Sequence, residues 1–266
     1  MKKITLIGGD NRLKILKKEL EKEVYLIDTL GLYPEDLGDI NSSNIIILPV
    51  PTTKDGENVF CPLTDRKIPL EQIKNKVTKD QLILCCNYLF QNTNCIDYGS
   101  LDSYALLNAV PTAEGAIKIA MENTAYTLWK SKVLVIGYGR VGKILSHRLA
   151  GLGCDLTVSA RKSSDFAMID ALGLDFIHTE NVSKTAKDFK IIFNTVDIKV
   201  IDDNTLKDLS HTLLIDLSTK GGFDLDLANR LGINAIKAPG LPSKVAPKTA
   251  AQILKNTISH IINSYN

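Results

Sequence analysis

The chain has 266 residues, a hydrophobic fraction of 44%, a charged fraction of 23% and a formal net charge of +2. This composition is ordinary for a globular protein and excludes a disordered chain, while the length suits two small lobes or one large domain. The near-neutral charge gives no reason to expect nucleic acid or an anionic membrane as a partner, and no apolar run reaches the ~18 residues that span a bilayer.

In the first half of the chain, short apolar runs alternate with amphipathic segments. Such runs fit strands that are buried on both faces of a parallel sheet, and apolar residues at helical spacing fit the helices that cover it. In chain order, the pattern predicts strands at 4–7, 24–27, 45–50 and 82–86, with helices at 13–21 and 71–77.

The second half repeats this plan. It predicts strands at 133–136, 156–160, 191–194, 213–217 and 235–238, and helices at 141–149, 165–172 and 225–231. Alternating strands and helices indicate an α/β fold with doubly wound parallel sheets. We therefore predict two such lobes, the second of them a Rossmann dinucleotide-binding domain.

Two longer helical patterns do not fit a strand–helix–strand unit. One follows Pro111 and covers 113–129, with Thr112 as its expected N-cap, and the other follows Pro247 and covers 249–262. They predict an N-terminal α/β substrate or partner domain (1–112, completed by a C-terminal helix at 247–266), a linking helix (113–130) and the Rossmann domain (131–246). The two long helices are expected to bridge the lobes, with ligands in a cleft between them.

Cysteine and histidine usage argues against a disulfide framework and a metal site. The five cysteines form no C-x-x-C pair, and the four histidines form no H-x-x-x-H pair. This pattern is typical of a protein of the reducing cytosol, so we predict a cytoplasmic protein with no bound metal.

The most specific local motif is a glycine fingerprint between a strand and a helix. It comprises Gly137, Tyr138, Gly139, Arg140, Val141 and Gly142. The first glycine permits a tight turn, the second lets a pyrophosphate approach the backbone, and the third lets the helix pack closely on the strand. The motif predicts a dinucleotide on the helix N-terminus, and a purely structural turn is the alternative.

The end of the next strand indicates which dinucleotide binds. No acidic residue follows it; instead Ser159, Ala160, Arg161 and Lys162 stand there, with Arg161 lying 19 residues after Gly142. A guanidinium pairs with a ribose 2′-phosphate, whereas an NAD site carries a carboxylate at this point. The sequence therefore favours NADP over NAD, and an exposed basic turn is the alternative.

Polar residues also follow the later strands, where the nicotinamide half of the cofactor is expected. The cofactor contacts predicted there are Asn194, Thr195, Asp216, Leu217, Pro239 and Gly240. Lys220 lies in the same loop as Asp216 and is predicted to bind a substrate carboxylate or move a proton. The alternative for all of these residues is a turn or capping role.

Longer strings of residues resemble one family, the A subunit of dipicolinate synthase. The two most specific are NAVPTAEGAI at 108–117 and APGLP-S-KVAPKTA at 238–250. The remaining matches are Gly8, Gly9, Asp10 and Arg12, then 48–51, 137–142, 160–162 and 216–222. In the last of these the chain departs from the family pattern by lacking a proline between Lys220 and Gly221.

The resemblance implies a function and a setting. Enzymes of this family, in spore-forming bacteria, oxidise a dihydrodipicolinate-type intermediate of the lysine branch to dipicolinate (pyridine-2,6-dicarboxylate). The A subunit is the NADP-dependent, dehydrogenase-like component, and its partner is a flavoprotein-like B subunit. The resemblance thus implies the cytoplasm of the mother cell during sporulation as the location of the chain. It implies a small dicarboxylate as the substrate and is compatible with a homo-oligomer.

A dicarboxylate substrate directs attention to cations and hydrogen-bond donors. The predicted catalytic residues are Lys220 and Glu114, and the predicted substrate contacts are Asn108, Thr112, Thr52, Thr53 and Lys244. Arg12 and Lys248 are further candidate cations, for which surface solvation or a dimer contact is the alternative. No histidine occupies an obvious acid–base position, and the group that accepts the proton is left open.

Two other functions compete with this interpretation. A dehydrogenase of the shikimate type should carry a Ser-x-Ser-Pro segment near its start, and a 2-hydroxyacid dehydrogenase should carry a histidine where Pro239 and Gly240 stand. A non-catalytic NADP-binding subunit, with a regulatory or scaffolding role, fits the lack of an acid–base residue.

Overall fold

The computed structural model describes residues 1–23, 25–87, 90 and 93–265. Its contacts divide the chain into two compact units. Met1–Asn108 and Pro242–Asn266 form what we call the N-terminal unit, and Ala109–Leu241 forms the C-terminal unit.

The N-terminal unit contains a five-stranded parallel sheet with the order β2-β1-β3-β4-β5. The strands are β1 (Lys2–Ile7), β2 (Tyr25–Leu30), β3 (Ile45–Ile47), β4 (Leu82–Cys85) and β5 (Asn94–Asp97), and the first two helices are α1 (Asn11–Leu20) and α2 (Leu70–Lys76). Side chains of β3 show why the strands are continuous apolar runs: Ile45 and Ile47 face one core cluster, while Ile46 faces the other. Both faces of the sheet are therefore buried, as the sequence predicts.

The next helix, α3 (Asp102–Glu122), differs from the prediction. It begins at Asp102 rather than after Pro111 and ends at Glu122 rather than at Trp129, so the predicted N-cap role of Thr112 is wrong. Pro111 lies inside the helix. Its fixed φ is compatible with helical geometry, but its missing N–H removes one backbone hydrogen bond and its ring crowds the preceding turn. The boundary between the two units falls within this helix, after Asn108.

The C-terminal unit contains a six-stranded parallel sheet with the order β11-β10-β9-β6-β7-β8. The strands are β6 (Lys132–Ile136), β7 (Asp155–Ala160), β8 (Asp175–His178), β9 (Ile191–Asn194), β10 (Leu213–Asp216) and β11 (Ala235–Lys237). The helices are α4 (Arg140–Gly151), α5 (Ser163–Ala171), α6 (Val182–Thr185), α7 (Asp203–Lys207) and α8 (Leu225–Arg230). The first strand, β6, lies between β7 and β9, which is the Rossmann strand order with its switch point at β6 and β9.

Two strands are missing from the sequence-based prediction, and both carry polar residues. β5 has only Cys95 and Ile96 between Asn94 and Asp97, and β8 is an edge strand whose side chains are largely exposed. Neither strand is a continuous apolar run, because an edge strand needs to bury only part of its surface. The predicted strand at 24–27 is found at Tyr25–Leu30, and Val24 lies outside the described residues. The predicted class, two doubly wound parallel α/β lobes, is confirmed.

The chain returns to the N-terminal unit through α9 (Leu241–Val245) and α10 (Pro247–Ser264). α10 packs along α1, and its buried residues Leu254, Ile258 and Ile261 join the same core cluster as Leu13, Leu16 and Leu20. The last helix therefore completes the hydrophobic core built by the first part of the chain. None of the helices in the described part of the chain is both long enough and apolar enough to cross a membrane.

We expect Ile258→Ala to lower the free energy of unfolding by about 2–5 kcal/mol, because it leaves a cavity in a fully buried position. The matched control is His260→Ala, which changes an exposed side chain of the same helix and should alter stability by less than about 0.5 kcal/mol. Urea denaturation followed by circular dichroism measures both. Equal midpoints for the two variants would show that α10 does not contribute to the core.

Candidate functional site

The glycine turn after β6 can be formed only by a residue without a side chain. Gly137 has φ +98°, and a Cβ there would lie 2.5 Å from Val196 Cγ1 and 2.7 Å from Thr195 Oγ1. Its amide donates to the carbonyl oxygen of Ser159 at 3.1 Å. The first glycine of the motif therefore turns the chain and presses it against the segment that follows β9.

The other two glycines of the motif have different surroundings. A Cβ at Gly142 would collide with the carbonyl oxygen of Gly137, so this residue allows α4 to start directly against the end of β6. Gly139 is the N-cap of α4, it makes no side-chain cap hydrogen bond, and a Cβ there would meet open space. The first helical turn therefore begins beside an open position, and the N–H groups of a helix N-terminus suit a phosphate group there.

The other residues of this loop differ in exposure. Arg140 is exposed, Val141 is half-buried and Tyr138 is buried. The ammonium group of Lys143 lies 5.2 Å from the centre of the Tyr138 ring. The loop thus presents Arg140 outward and anchors itself through Tyr138.

At the end of β7, one predicted donor is buried and two predicted cations are exposed. Ser159 is fully buried, and its hydroxyl accepts a hydrogen bond from the amide of Gly137 at 3.3 Å. Ala160 is buried as well, and its carbonyl oxygen accepts from the Thr179 hydroxyl at 2.9 Å. Arg161 and Lys162 are exposed. Ser159 therefore supports the glycine turn, while the two cations face solvent.

The ends of β9, β10 and β11 carry a buried polar cluster that we call the Asp216 cluster, made of Asn194, Asp216, Ser218 and Lys237. Asp216 is 2% exposed and lies between Asn194 and Lys237 in the strand register. Its carboxylate accepts from Asn194 Nδ2 at 2.8 Å, Lys237 Nζ at 2.8 Å and the Ser218 hydroxyl at 2.6 Å. The amides of Ser218 and Gly222 donate to it as well, at 3.0 and 3.3 Å.

This cluster keeps Asp216 charged. Burial by itself raises the pKa of a carboxyl group, but the hydrogen bonds from Lys237, Ser218 and Asn194 outweigh it and lower the pKa of Asp216 below its ordinary value. Because the carboxylate accepts both from Ser218 and from Gly222, it also holds together the two ends of the loop between them. The Asp216 cluster thus determines the conformation of the loop that carries Lys220.

Lys220 lies in the most exposed part of this loop. The amides of Thr219 and Lys220 donate to the carboxylate of Asp197 at 2.6 and 2.9 Å. The side chain of Lys220 is exposed, and its ammonium group has no ion-pair partner in the described part of the chain. The backbone at this position is therefore held, while the charge is available to a ligand.

The polar groups of Asn194 and Thr195 are occupied within the protein. Asn194 Nδ2 donates to the carbonyl oxygen of Val196 in addition to Asp216, and the Thr195 hydroxyl donates to the carbonyl oxygen of Ile136 at 2.8 Å. The amide of Leu217 donates to the carbonyl oxygen of Asn194 at 2.9 Å. A direct contact of these side chains, or of Asp216, with a cofactor would have to replace one of these bonds, and it stays a prediction.

The remaining predicted residues of the C-terminal unit are spread over several elements. Pro239 and Gly240 are exposed just after β11, and Thr112 is half-buried in α3. Glu114 is 54% exposed and pairs with Arg148 at 3.3 Å. Since Arg148 lies eight residues after Arg140, this pair is about 12 Å along α4 from the glycine turn. The geometry therefore favours Lys220 over Glu114 as a residue acting near the turn.

The predicted residues of the N-terminal unit mostly stabilise turns. Thr52 is fully buried, where its hydroxyl donates to Pro49 and accepts from the amide of Cys86. The Thr53 hydroxyl donates to Asp55 at 3.0 Å. Asn108 is half-buried in α3, and Lys244 is exposed in α9, as is Lys248 at the start of α10. The alternative that placed Arg12 at the solvated surface is wrong, because Arg12 is buried and paired with Asp10.

The sequence did not single out Lys237 or Asp197, which hold the loop around Lys220. A lysine at the end of a buried strand was visible in the sequence and is an unusual residue there. Its partner was not identifiable, since only the strand order brings β10 beside β11. Within the described residues, no group of three or more histidine, cysteine, aspartate or glutamate side chains is arranged to hold a metal ion.

Comparison with known proteins adds four findings. A family model described as the N-terminal domain of the A subunit of dipicolinate synthase matches residues 3–89. The dipicolinate synthase A subunit of Bacillus subtilis is 34% identical to this chain, over 98% of the chain and 95% of the relative. The crystal structure of the dipicolinate synthase A subunit from Bacillus halodurans covers 98% of this chain and 97% of its own, with a TM-score of 0.86 and 31% identity. A transhydrogenase from Sinorhizobium meliloti shares the fold at 12% identity and a TM-score of 0.67, covering 98% of this chain and 94% of its own.

We expect Lys237→Met to lower the free energy of unfolding by about 1–3 kcal/mol, because it removes a charged donor from the buried carboxylate of Asp216. A carboxyl group whose folded pKa is depressed stabilises the protein above its unfolded pKa, and that stabilisation is lost as pH falls through the folded pKa. Since the variant raises the folded pKa of Asp216, its acid-induced loss of stability should begin at a higher pH than in the wild type.

Urea denaturation at several pH values measures this effect. The matched control is Lys199→Met, which breaks the exposed 2.6 Å pair with Asp203 in the same unit and should change stability by less than about 1 kcal/mol. If Lys237→Met and Lys199→Met behave alike at every pH, the Asp216 cluster does not stabilise the loop.

Proposed function

Because this chain belongs to the family of dipicolinate synthase A subunits, we propose that it oxidises a dihydrodipicolinate-type intermediate of the lysine branch to dipicolinate with NADP⁺ during sporulation. The family resemblance found in the sequence strings is confirmed, and the fold is shared with a transhydrogenase. The observation that carries the proposal is the open glycine turn at the start of α4, followed by two exposed cations at the end of the neighbouring strand.

The residues present fit a dinucleotide with a 2′-phosphate. The N–H groups at the start of α4 and the open position at Gly139 suit the pyrophosphate. Arg161 and Lys162 suit the 2′-phosphate, since both are exposed at the end of β7. Ser159 acts by holding Gly137 in place. NADP⁺ bound there would supply the hydride acceptor.

The nicotinamide half would lie along the loops that follow β9, β10 and β11. We assign Asn194, Thr195, Asp216 and Leu217 to this side of the site, together with Pro239 and Gly240. Because the hydrogen bonds within the Asp216 cluster are already satisfied, these residues act mainly by keeping the loop backbones rigid. A rigid edge holds the reacting groups in one geometry, which is a main source of rate enhancement.

The reaction removes one hydride and one proton from a partly reduced ring, and the gain of aromaticity favours it. The protein has to orient the ring and offset the charge of two carboxylates. Lys220 is the cation that the geometry favours for one of them, because its backbone is held by Asp197 and its ammonium faces solvent. Asn108, Thr112, Thr52, Thr53 and Lys244 remain proposed substrate contacts, and Glu114 is a weaker candidate for catalysis because its partner, Arg148, lies in the last turn of α4.

A second function is favoured by one observation. Several polar side chains near the strand ends, among them Asn194, Asp216 and Thr52, are saturated by bonds within the protein. A chain that binds NADP but leaves the chemistry to its partner would show this pattern.

The relatives are named as one subunit of a synthase, which implies a further subunit. We propose a flavoprotein-like B subunit as that partner and the mother-cell cytoplasm as the site of action.

We expect Arg161→Ala to weaken NADPH binding by about 10–100-fold and to leave NADH binding unchanged, because it removes a charge-assisted hydrogen bond to the 2′-phosphate. Isothermal titration calorimetry with each cofactor measures the ratio. The matched control is Arg230→Ala, which removes an exposed arginine from α8 of the same unit and should leave both affinities unchanged. Equal affinity of the wild type for NADPH and NADH would contradict the assignment of NADP.

The oxidation itself is tested by supplying the condensation product of aspartate semialdehyde and pyruvate, with NADP⁺, to the chain with and without its partner subunit. We expect the ultraviolet absorbance of dipicolinate to appear. Lys220→Met should lower kcat/KM by about 10–100-fold through the lost contact with a carboxylate, whereas Lys207→Met, an exposed lysine of α7, should not. If no dipicolinate forms even with the partner present, the oxidation proposal is wrong. Dipicolinate that forms only with the partner, at a rate that Lys220→Met does not change, favours the second proposal.

A further inference from the structure

The N-terminal unit has a switch point of its own, which the proposed cofactor site does not use. β1 and β3 are neighbours in its sheet, but β1 leads through α1 to β2 on one side and β3 leads through α2 to β4 on the other. Ligands of open parallel sheets bind at the carboxyl edge where the connections diverge in this way. Arg12, in the first turn of α1, and Val50, shortly after β3, meet at this point.

Arg12 is held in one orientation and has one nitrogen to spare. It is 6% exposed, and its Nε and Nη2 donate to the two carboxylate oxygens of Asp10 at 2.9 and 2.8 Å. Nη2 also donates to the carbonyl oxygen of Val50. Nη1 of Arg12 has no hydrogen-bond partner among the described residues. It does not belong to the unpaired side-chain atoms that are shielded from solvent, so a ligand can reach it. A buried guanidinium that is oriented by a carboxylate, with one N–H edge open, is suited to a ligand that accepts hydrogen bonds.

A second donor lies beside it on the same sheet edge. Tyr104, at the start of α3, packs edge-on against Tyr98 with 5.5 Å between the ring centres. The Tyr98 hydroxyl donates to the carbonyl oxygen of Leu48 at 2.7 Å, which fixes that ring. The Tyr104 hydroxyl, in contrast, has no hydrogen-bond partner among the described residues. Like Arg12 Nη1, it is not shielded from solvent. Arg12 and Tyr104 are close enough to influence each other's charge.

The protonation state of this hydroxyl suits a donor. Burial raises the pKa of Tyr104 to about 12, although the neighbouring charge of Arg12 opposes the rise. The hydroxyl therefore keeps its proton at physiological pH and can donate it in a hydrogen bond.

The same edge is unsuited to a nucleotide phosphate. A Cβ at Gly8 would lie 2.7–2.9 Å from Val59, Cys61 and the carbonyl oxygen of Phe60. The segment 59–61 therefore packs directly against this glycine turn. The N-terminus of α1 is capped by the carboxylate of Asp10, which accepts from the amide of Arg12 at 3.0 Å and so occupies the position that a phosphate would take on the helix. This edge therefore suits a small ligand whose oxygen atoms accept hydrogen bonds from the Arg12 guanidinium and the Tyr104 hydroxyl.

We propose that the N-terminal unit binds a small carboxylate at the β1–β3 switch point, with Arg12 Nη1 and the Tyr104 hydroxyl as its donors and Asp10 as the residue that positions Arg12. The choice of an aromatic dicarboxylate as the probe rests on the proposed function, but the site itself does not. The site is distinct from the glycine turn of the C-terminal unit and needs no cofactor to bind its ligand.

The test is calorimetric titration of the full chain, without NADP(H) and in metal-free buffer, with pyridine-2,6-dicarboxylate and with its neutral dicarboxamide. We expect the dicarboxylate to bind at least about 10-fold more tightly than the dicarboxamide, since hydrogen bonds to charged groups are the stronger ones. Tyr104→Phe removes only the open hydroxyl and should weaken binding of the dicarboxylate by about 10-fold. Arg12→Lys, which loses the planar fork, should weaken it by a larger factor.

Lys17→Met is the matched control for a lost positive charge, because Lys17 lies in the last turn of the same helix and pairs with Glu21. It should leave binding unchanged, and circular dichroism checks that each variant is folded. If Arg12→Lys does not fold, Tyr104→Phe decides the outcome alone. Unchanged affinity in folded Tyr104→Phe, or no binding of the dicarboxylate to the wild type, overturns the proposal.

The result is separable from the fate of the proposed function. Binding that depends on Arg12 and Tyr104 in a chain that forms no dipicolinate supports this site and contradicts the enzymatic proposal. If instead dipicolinate forms with NADP⁺ while neither variant changes the binding of the dicarboxylate, the enzymatic proposal is supported and this site is contradicted.

Discussion

The close approach of Gly142 to the carbonyl oxygen of Gly137 is the constraint on which the C-terminal unit depends. It lets α4 begin within a few residues of the end of β6, so that the N–H groups of the first helical turn stand at the carboxyl edge of the sheet. A side chain at either position would displace the helix from the strand. Ser159 and Thr195 then hold the turn from the two neighbouring strands, one on each side of β6.

The Asp216 cluster has a comparable role two strands away. Three neighbouring strands end in Asn194, Asp216 and Lys237, and their side chains hydrogen-bond along one row. Since a buried carboxylate is costly unless its hydrogen bonds are satisfied, the cluster tolerates little rearrangement. The two parallel sheets of the protein therefore use their carboxyl edges differently. In the C-terminal unit a rigid edge surrounds an open helix N-terminus, whereas in the N-terminal unit an acidic cap closes the helix and leaves an arginine in its place.

The sequence predicted most of the central strands, and physical reasons account for what it did not predict. Strands such as β3, β6 and β9 are buried on both faces and appear as continuous apolar runs. β5 and β8 do not, because edge strands and strands with polar ends lack that pattern. The start of α3 was misplaced because Pro111 is typical of a helix start, whereas in the structure this proline lies inside the helix, where it removes one backbone hydrogen bond and crowds the preceding turn.

By itself, the sequence determined the fold class, the family, the glycine turn and the pair of cations that follows β7. These features depend on residues close together in the chain, on residue type and on periodicity, all of which a single sequence displays. Only the tertiary structure decided that Ser159, Asn194 and Thr195 bond their polar groups within the protein, that Lys237 neutralises Asp216, and that Arg12 is buried with one open nitrogen. Hydrogen-bond partners of buried groups come from distant parts of the chain, and the order of strands in the sheet brings them together.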